Sequence, residues 1–293
     1  MMHNILPILT QTLLFIPLGF AISISFNLLR ATDMTLDGSF VLGATVFAKL
    51  ISCQVALVPS CFLALAAGAA AGLLTAYIQR HDRVDPLFAG ILSTFILSSI
   101  NLCVMGKPNT NLLTYQTLLT PTFDQSDLLT FALIGSYVFL LCVIPFLLLK
   151  SNLGLQLRAF GDNPSLLRRH GINIELLRCT GFAMTNLLAA GAGCLTAQAV
   201  GYADIGMGMG MTMTGIGAII LGQQIINRFT NRPIHRLGIE WAASFIGVAC
   251  YFSLLNGLLR LDINPIYLKM MMGFLLIVFL RTANKTLPKR QQP

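Results

Sequence analysis

Apolar runs long enough to cross a bilayer recur along this chain, and that recurrence narrows the possible folds more than any other feature. Ile5–Leu29, Val55–Gln79, Leu87–Met105, Leu128–Leu149, Thr180–Val200 and Leu237–Leu259 each approach or exceed about 20 residues, the length a helix needs to span the hydrocarbon. Three shorter runs, Ser39–Ser52, Met211–Ile226 and Ile266–Leu280, bring the apolar segments to nine. Ser39–Ser52 covers roughly 21 Å as a helix, short of the ~30 Å hydrocarbon core. It must extend through the polar break before it, tilt little, or be re-entrant. Only 10% of the residues are charged, against about 25% in soluble domains. The expected fold is therefore an all-α polytopic membrane bundle of about eight to ten apolar segments, some short or re-entrant. The chain reads as one transmembrane domain over residues 1–293. Its N-terminus lacks a basic leader and a small-residue cleavage site, so Ile5–Leu29 is expected to be a retained first span.

The net charge of +8 would point to nucleic acid in a soluble protein. Here the basic residues punctuate apolar spans, so no nucleic-acid partner is expected and the positive-inside rule accounts for them. With alternating spans, fifteen of the nineteen Lys and Arg fall on the side of the loop 150–178 and three on the other, with Lys49 inside a segment. The loop 150–178 is thus expected to be cytoplasmic, and Pro108–Asp127 external. That orientation puts the N-terminus outside and the C-terminus inside.

The loop is the one long polar interruption. Asn163 suits an N-cap, Pro164 the first helical position and Gly171 a left-handed C′ residue. Arg168, Arg169 and His170 fall in the last turn, where positive charge complements the helix dipole. The pattern predicts a surface helix of about two turns, too short and too basic to span. It would stand as a rigid knob on the basic side.

Catalytic and metal chemistry find no support. The only Gly-Lys pair, Gly106-Lys107, precedes a proline and forms no phosphate-binding loop. His3, His81, His170 and His235 are scattered without carboxylate partners at ligand spacing. The seven cysteines lie within or at the ends of apolar segments, in no C-x-x-C pattern, and read as small core residues. No cofactor, metal or catalytic residue is expected. Broken helices, intramembrane polar residues and a docking knob fit transport, either as one subunit of a larger machine or as a stand-alone secondary transporter or channel.

Asp33 and Asp37 are four apart and would share one helix face. Either both cap a helix starting at Gly38, near Arg30 at the interface, or they act on substrate or gate, with Asp37-Gly38 marking a helix break on the translocation route. Each ionised carboxylate at membrane depth would cost about 2.5–3.5 kcal/mol. Asn101 reads more readily as an interhelical hydrogen-bonding group than as a substrate ligand. Gly68 and Gly72 have the small-xxx-small spacing of close helix contact, within or between subunits. Gly206-Met207-Gly208-Met209-Gly210 cannot form a stable helix. It is either a flexible gate or docking surface with an adaptable methionine lining, or a re-entrant turn that packs.

Arg30–Phe40, read R-A-T-D-M-T-L-D-G-S-F, resembles the D-L-T-V-D-G-S-F signature of branched-chain amino-acid-type ABC importer permeases. Within that family it is most similar to the tryptophan/tyrosine-type subgroup. The resemblance continues at Leu157–Pro164, Gly193–Gln198 and Tyr202–Gly208 and covers most of 28–223 in order. Met34 and Met207 stand where other hydrophobic residues are common. The resemblance implies a membrane-spanning permease for a small solute, with aromatic or other amino acids as the substrate class. Its partners would be a separate ABC ATPase, an extracytoplasmic substrate-binding protein, a second identical or related permease, and membrane lipid, in a bacterial cytoplasmic membrane. It implies that Gly161, Asp162, Asn163, Pro164, Leu166, Leu167, Arg168 and Arg169 form the coupling helix seated on the ATPase. Asp33, Asp37, Gly38, Asn101, Met207 and Met209 are the residues expected along the translocation path.

Overall fold

The computed structural model describes residues 2–119, 127–229 and 237–260, with six isolated positions between 267 and 277. The chain runs through α1 (Met2–Ser23), a π-helical turn (Ile24–Leu28), α2 (Thr35–Ser52), α3 (Leu57–Ile78) and α4 (Pro86–Met105). A short strand β1 (Asn109–Asn111) precedes α5 (Asp127–Lys150), α6 (Asn152–Asp162), α7 (Pro164–Arg169) and α8 (Ile174–Val200). Then come β2 (Tyr202–Asp204), a 3-10 turn (Ile205–Gly208), α9 (Met211–Phe229) and α10 (Leu237–Arg260). Among the described residues, eight helices are long and apolar enough to cross a membrane. Ile266–Leu280, the ninth apolar segment, lies almost wholly outside the described residues.

The spans sort by how much of each is covered. The apolar windows of α2 and α8 are 72% and 67% buried, while those of α3 and α4 are each 28% buried. Exposed Phe62, Phe88, Phe95 and Phe139 on α3, α4 and α5 are what lipid-facing helices carry. The inner helices are built from small residues because only those allow backbones to meet. A Cβ at Gly68 would collide with Ala190 and come within 2.6 Å of the Asn186 carbonyl oxygen; one at Gly72 would strike the Phe182 carbonyl. The small-xxx-small pair of α3 therefore serves contact with α8 inside the chain. α2 packs on the other side of α8, while α1 lies against α8, α5, α9 and α10, and α9 pairs with α10.

Two expectations about segment ends are corrected. The short run Ser39–Ser52 gains four residues and begins at Thr35, giving 18 residues, about 27 Å. The break lies at 29–34, ahead of Asp37-Gly38. Asp33 closes it by accepting the Thr35 N–H at 2.9 Å. The loop 150–178 also holds two surface helices rather than one. Ser151 caps α6, accepting the Leu153 N–H, and its inward face is Gly154, Leu157 and Phe160. α8 starts at Ile174, six residues before the expected Thr180, with Asn173 accepting the Glu175 and Leu176 N–H groups.

The connection between α8 and α9 is pinned. β2 pairs antiparallel with β1, Thr110 opposite Ala203. The glycine-methionine run that follows forms a 3-10 turn rather than an α-helix, in keeping with its composition.

Candidate functional site

α7 carries the caps its composition predicts. The Asn163 side chain accepts the Leu166 N–H at 3.3 Å and the Ser165 hydroxyl at 2.6 Å. Pro164 is the first helical residue, and Gly171 takes φ +74. Pro164, Ser165, Leu166, Arg168 and Arg169 are exposed, Leu166 to 49%. Leu167 differs: it is 5% exposed and belongs to the chain's own core. In so short a helix the next position along faces the opposite way, so Leu167 anchors α7 and leaves Leu166 on the outer face.

Asp162 and Gly161 face inward as well. Asp162 pairs with Arg30 at 2.5 Å, and both side chains are more than half exposed. Arg30 reaches it from a left-handed backbone at φ +50. A Cβ at Gly161 would run into the Leu28 carbonyl, so glycine is what lets α6 sit on the π-turn. Arg158 of α6 bonds Glu240 of α10 at 3.1 Å, with Glu240 largely buried. α6 and α7 are therefore gripped by both α1 and α10. Among these residues Arg158 and Glu240 carry no local sequence signal, being 82 positions apart.

The π-turn also reaches α9. Asn27 donates to Ser23 at 3.1 Å and accepts from Gln223 of α9 at 3.0 Å. At its other end α9 is held by Asp37. Oδ2 of Asp37 accepts the Gly210 N–H at 2.9 Å, and Oδ1 accepts the N–H and the hydroxyl of Thr212, each at 2.6 Å. A carboxylate on the first turn of α2 thus serves as the N-terminal cap of α9, satisfying orphan donors and complementing the dipole. Gly208 packs onto the Asp37 carbonyl, leaving no room for a side chain. Met209 beside it is 74% exposed, whereas Met207 is half-buried against two core clusters.

Asp33 does not share this face. It lies in the break before α2, only 1% exposed, and accepts from the Thr35 N–H and, at 2.9 Å, from the Asn186 amide of α8. Asn186 in turn accepts the Ser39 hydroxyl at 2.6 Å. The Thr35 hydroxyl joins Thr75, which donates to Ser93, carrying the polar chain across α2, α3 and α4. Burial pushes the Asp33 carboxyl above its ordinary range, and the bonds from Thr35 and Asn186 pull it back. Asn101 donates to the Gly38 carbonyl at 3.2 Å and accepts from Thr45, so its amide is spent joining α4 to α2. Asn186 and Thr212 escape sequence reasoning because both sit in runs that read as plain apolar helix.

Among the described residues no three His, Cys, Asp or Glu side chains converge as a metal site. The arrangement instead joins moving parts. The surface helices, the π-turn of α1, and α9 with its cap on α2 form one bonded series.

Comparison with known proteins gives this series its context. Residues 4–280 match the family described as the permease component of branched-chain amino acid transport systems. The chain is 41% identical over 285 residues to an uncharacterized protein of Rickettsia prowazekii, covering 97% of this chain and 99% of that one. It is 31% identical over 284 residues to the tyrosine transport system permease protein of Clostridioides difficile, covering 97% and 92% of the two. The ribose import permease protein of Escherichia coli K12 is 24% identical over 263 residues, 86% of this chain and 77% of that protein. No solved structure matches. With its spans, its capped surface helix and the match over nearly its whole length, the chain belongs to the permease-component family of branched-chain amino acid transport systems, as a membrane-spanning subunit of an ABC-type importer.

Proposed function

We propose that the chain forms, with a second identical or related copy, the pore of an importer for amino acids, placed in the bacterial cytoplasmic membrane with α6 and α7 inside. A partner ATPase seats on the outer face of α7, and an extracytoplasmic binding protein delivers the solute at the β1–β2 end. The observation that carries this is α7 itself. It is a capped helix with Leu166, Arg168 and Arg169 exposed, standing on a support that is bonded to α1 through Arg30–Asp162 and to α10 through Arg158–Glu240. A solitary secondary transporter has no use for such a lever. The domain of residues 1–293 is one transport unit with 150–178 as its coupling loop.

When ATP closes the two ATPases, each α7 is pushed as a rigid body, since its caps keep it from unwinding. Arg30–Asp162 and the Gly161 contact pass the push to the π-turn, and Asn27–Gln223 passes it to α9. The end of α9 held by Asp37 then makes or breaks its cap beside Met209, changing which side of the route is open. Asp37 and Met209 are the residues of this set that stand at the route. Asp33, Gly38 and Asn101 hold the frame. The amino-acid class is supported by likeness to the tyrosine permease over nearly the full length of both chains.

The test is Arg168→Glu with Arg169→Glu in the complex of permease, ATPase and binding protein. The spans are untouched, so the permease should insert normally. We expect the ATPase to co-purify at least about tenfold less well, the equivalent of about 1.4 kcal/mol, and uptake of a labelled aromatic amino acid to cease. Full retention of the ATPase with normal uptake would reduce α7 to a connector.

A further inference from the structure

Cys61 on α3 and Cys194 on α8 meet near the β1–β2 end, their sulfurs 3.9 Å apart. They are 133 residues apart in sequence. Cys194 is fully buried, while Cys61 is half-buried. The Gln198 amide lies over both sulfurs, 3.5 Å from that of Cys194 and 3.9 Å from that of Cys61. Gln198 is itself oriented, because its carbonyl oxygen accepts the Leu118 N–H at 3.1 Å. A little deeper, Gly68 and the segment about Ala190 hold the two helices at backbone contact, so the thiols cannot drift apart. No third His, Cys, Asp or Glu joins them to make a metal site among the described residues. The chemistry open to this pair is between the two sulfurs.

We infer that Cys61 and Cys194 are an oxidisable pair that closes into an intramolecular disulfide, stapling α3 to α8. Closure needs the sulfurs to approach by about 2 Å, to a bond of ~2.0 Å, which side-chain rotation on two adjacent helices supplies. The oxidant is a small disulfide. The Cys61 thiolate, the accessible one, attacks a sulfur of that disulfide, forming a mixed disulfide and releasing one thiolate. The Cys194 thiolate then attacks the Cys61 sulfur and expels the second. The oxidant takes up two electrons, and the protons lost by the two cysteines end on the two released thiols. The Gln198 amide favours both steps by donating to the sulfur that carries charge. Because α3 and α8 are packed backbone to backbone, the staple joins two elements that do not slide past each other, and transport survives it.

The test uses the full chain in native membranes and in detergent, treated with 2,2′-dipyridyl disulfide, then denatured, alkylated with N-ethylmaleimide and peptide-mapped. The peptides bearing Cys61 and Cys194 should be recovered joined, separable by dithiothreitol, to an extent independent of protein concentration. In Cys61→Ser, Cys194 should remain free and be alkylated only after denaturation. Recovery of both wild-type peptides separately, whether alkylated or carrying pyridylthio groups, would overturn the inference. So would oxidation that abolishes uptake in the wild type but not in Cys61→Ser, since it would mean the two helices must slide.

Discussion

Replacing Asp37 by Asn tests the cap on α9 directly. Asn keeps the shape but offers one acceptor oxygen and no charge. Turned toward Thr212, that oxygen retains the N–H and hydroxyl bonds, while its NH2 group faces the Gly210 N–H and loses that bond. Hydrogen bonds to a charged group contribute about 1.5–3 kcal/mol and neutral ones about 0.5–1.5 kcal/mol. Losing one and neutralising two would sum to several kcal/mol in a dry site, but Asp37 is only half-buried, so we take about 2 kcal/mol after solvent screening. That corresponds to roughly a 30-fold shift between the capped and uncapped forms of the α9 terminus. Hydrogen exchange followed by mass spectrometry, on peptides spanning 205–216, should show the first turn of α9 exchanging about 30-fold faster. The rest of the chain should be unchanged. Uptake in proteoliposomes should fall while ATPase co-purification stays normal. If exchange in that turn is the same in Asp37→Asn as in the wild type, the cap is not what holds α9, and the reasoning fails regardless of uptake.

Gly161→Ala drives a methyl into the Leu28 carbonyl, an overpacking expected to cost about 1–3 kcal/mol and to lift α6 from the π-turn; ATP hydrolysis should continue while uptake drops, and wild-type uptake would sink the lever. Asp33→Asn leaves one of two buried donors, the Thr35 N–H or the Asn186 amide, without an acceptor and should destabilise by about 1–3 kcal/mol, read as a lower thermal midpoint in detergent. The pH dependence has a fixed sign. The folded carboxyl is raised above 3.8, so folded protein holds a proton that the unfolded chain has released, and stability falls as pH rises through that window; Asp33→Asn should flatten this slope. Single cysteines at Ser165 and Thr114, in a protein cleared of native cysteines, should be labelled by impermeant reagents from opposite faces of the membrane, and labelling of both from outside would refute the orientation.

How far the sequence can be read depends on the range of the interaction. α7 was legible because its determinants are local: Asn163, Pro164 and Gly171 do what those residue types do within a turn of themselves. The spans were legible because hydrocarbon imposes a length. The cap on α9 was not, since Asp37 and Gly210 are 173 residues apart and nothing in either neighbourhood marks the other. Asp33 and Asp37 look like a pair at helical spacing, yet the helix begins only at Thr35, so one falls outside it and turns to Asn186. α6 was overlooked because its polar face blends into a polar loop, although its apolar residues recur at three-residue steps. The glycine-methionine run left a gate and a packed turn both open, and it contains each: Gly208 is packed, Met209 is exposed.

The π-turn at the end of α1 sets the angular phase of everything beyond it. Leu29 bonds back five residues to Ile24, so this stretch carries one residue more than an α-helix would use over the same rise. Delete a single residue between Ile24 and Leu28 and the helix regains regular winding. Each residue after the cut then swings by about 100° around the axis. Arg30 would leave Asp162, and the residue taking over the Asn27 position would point away from Gln223, although no atom of either partner had been altered. One-residue indels here should therefore be far more damaging than substitutions. The spacing between the first span and the R-A-T-D segment behaves like a gear setting, in which the number of teeth matters more than the metal each is cut from.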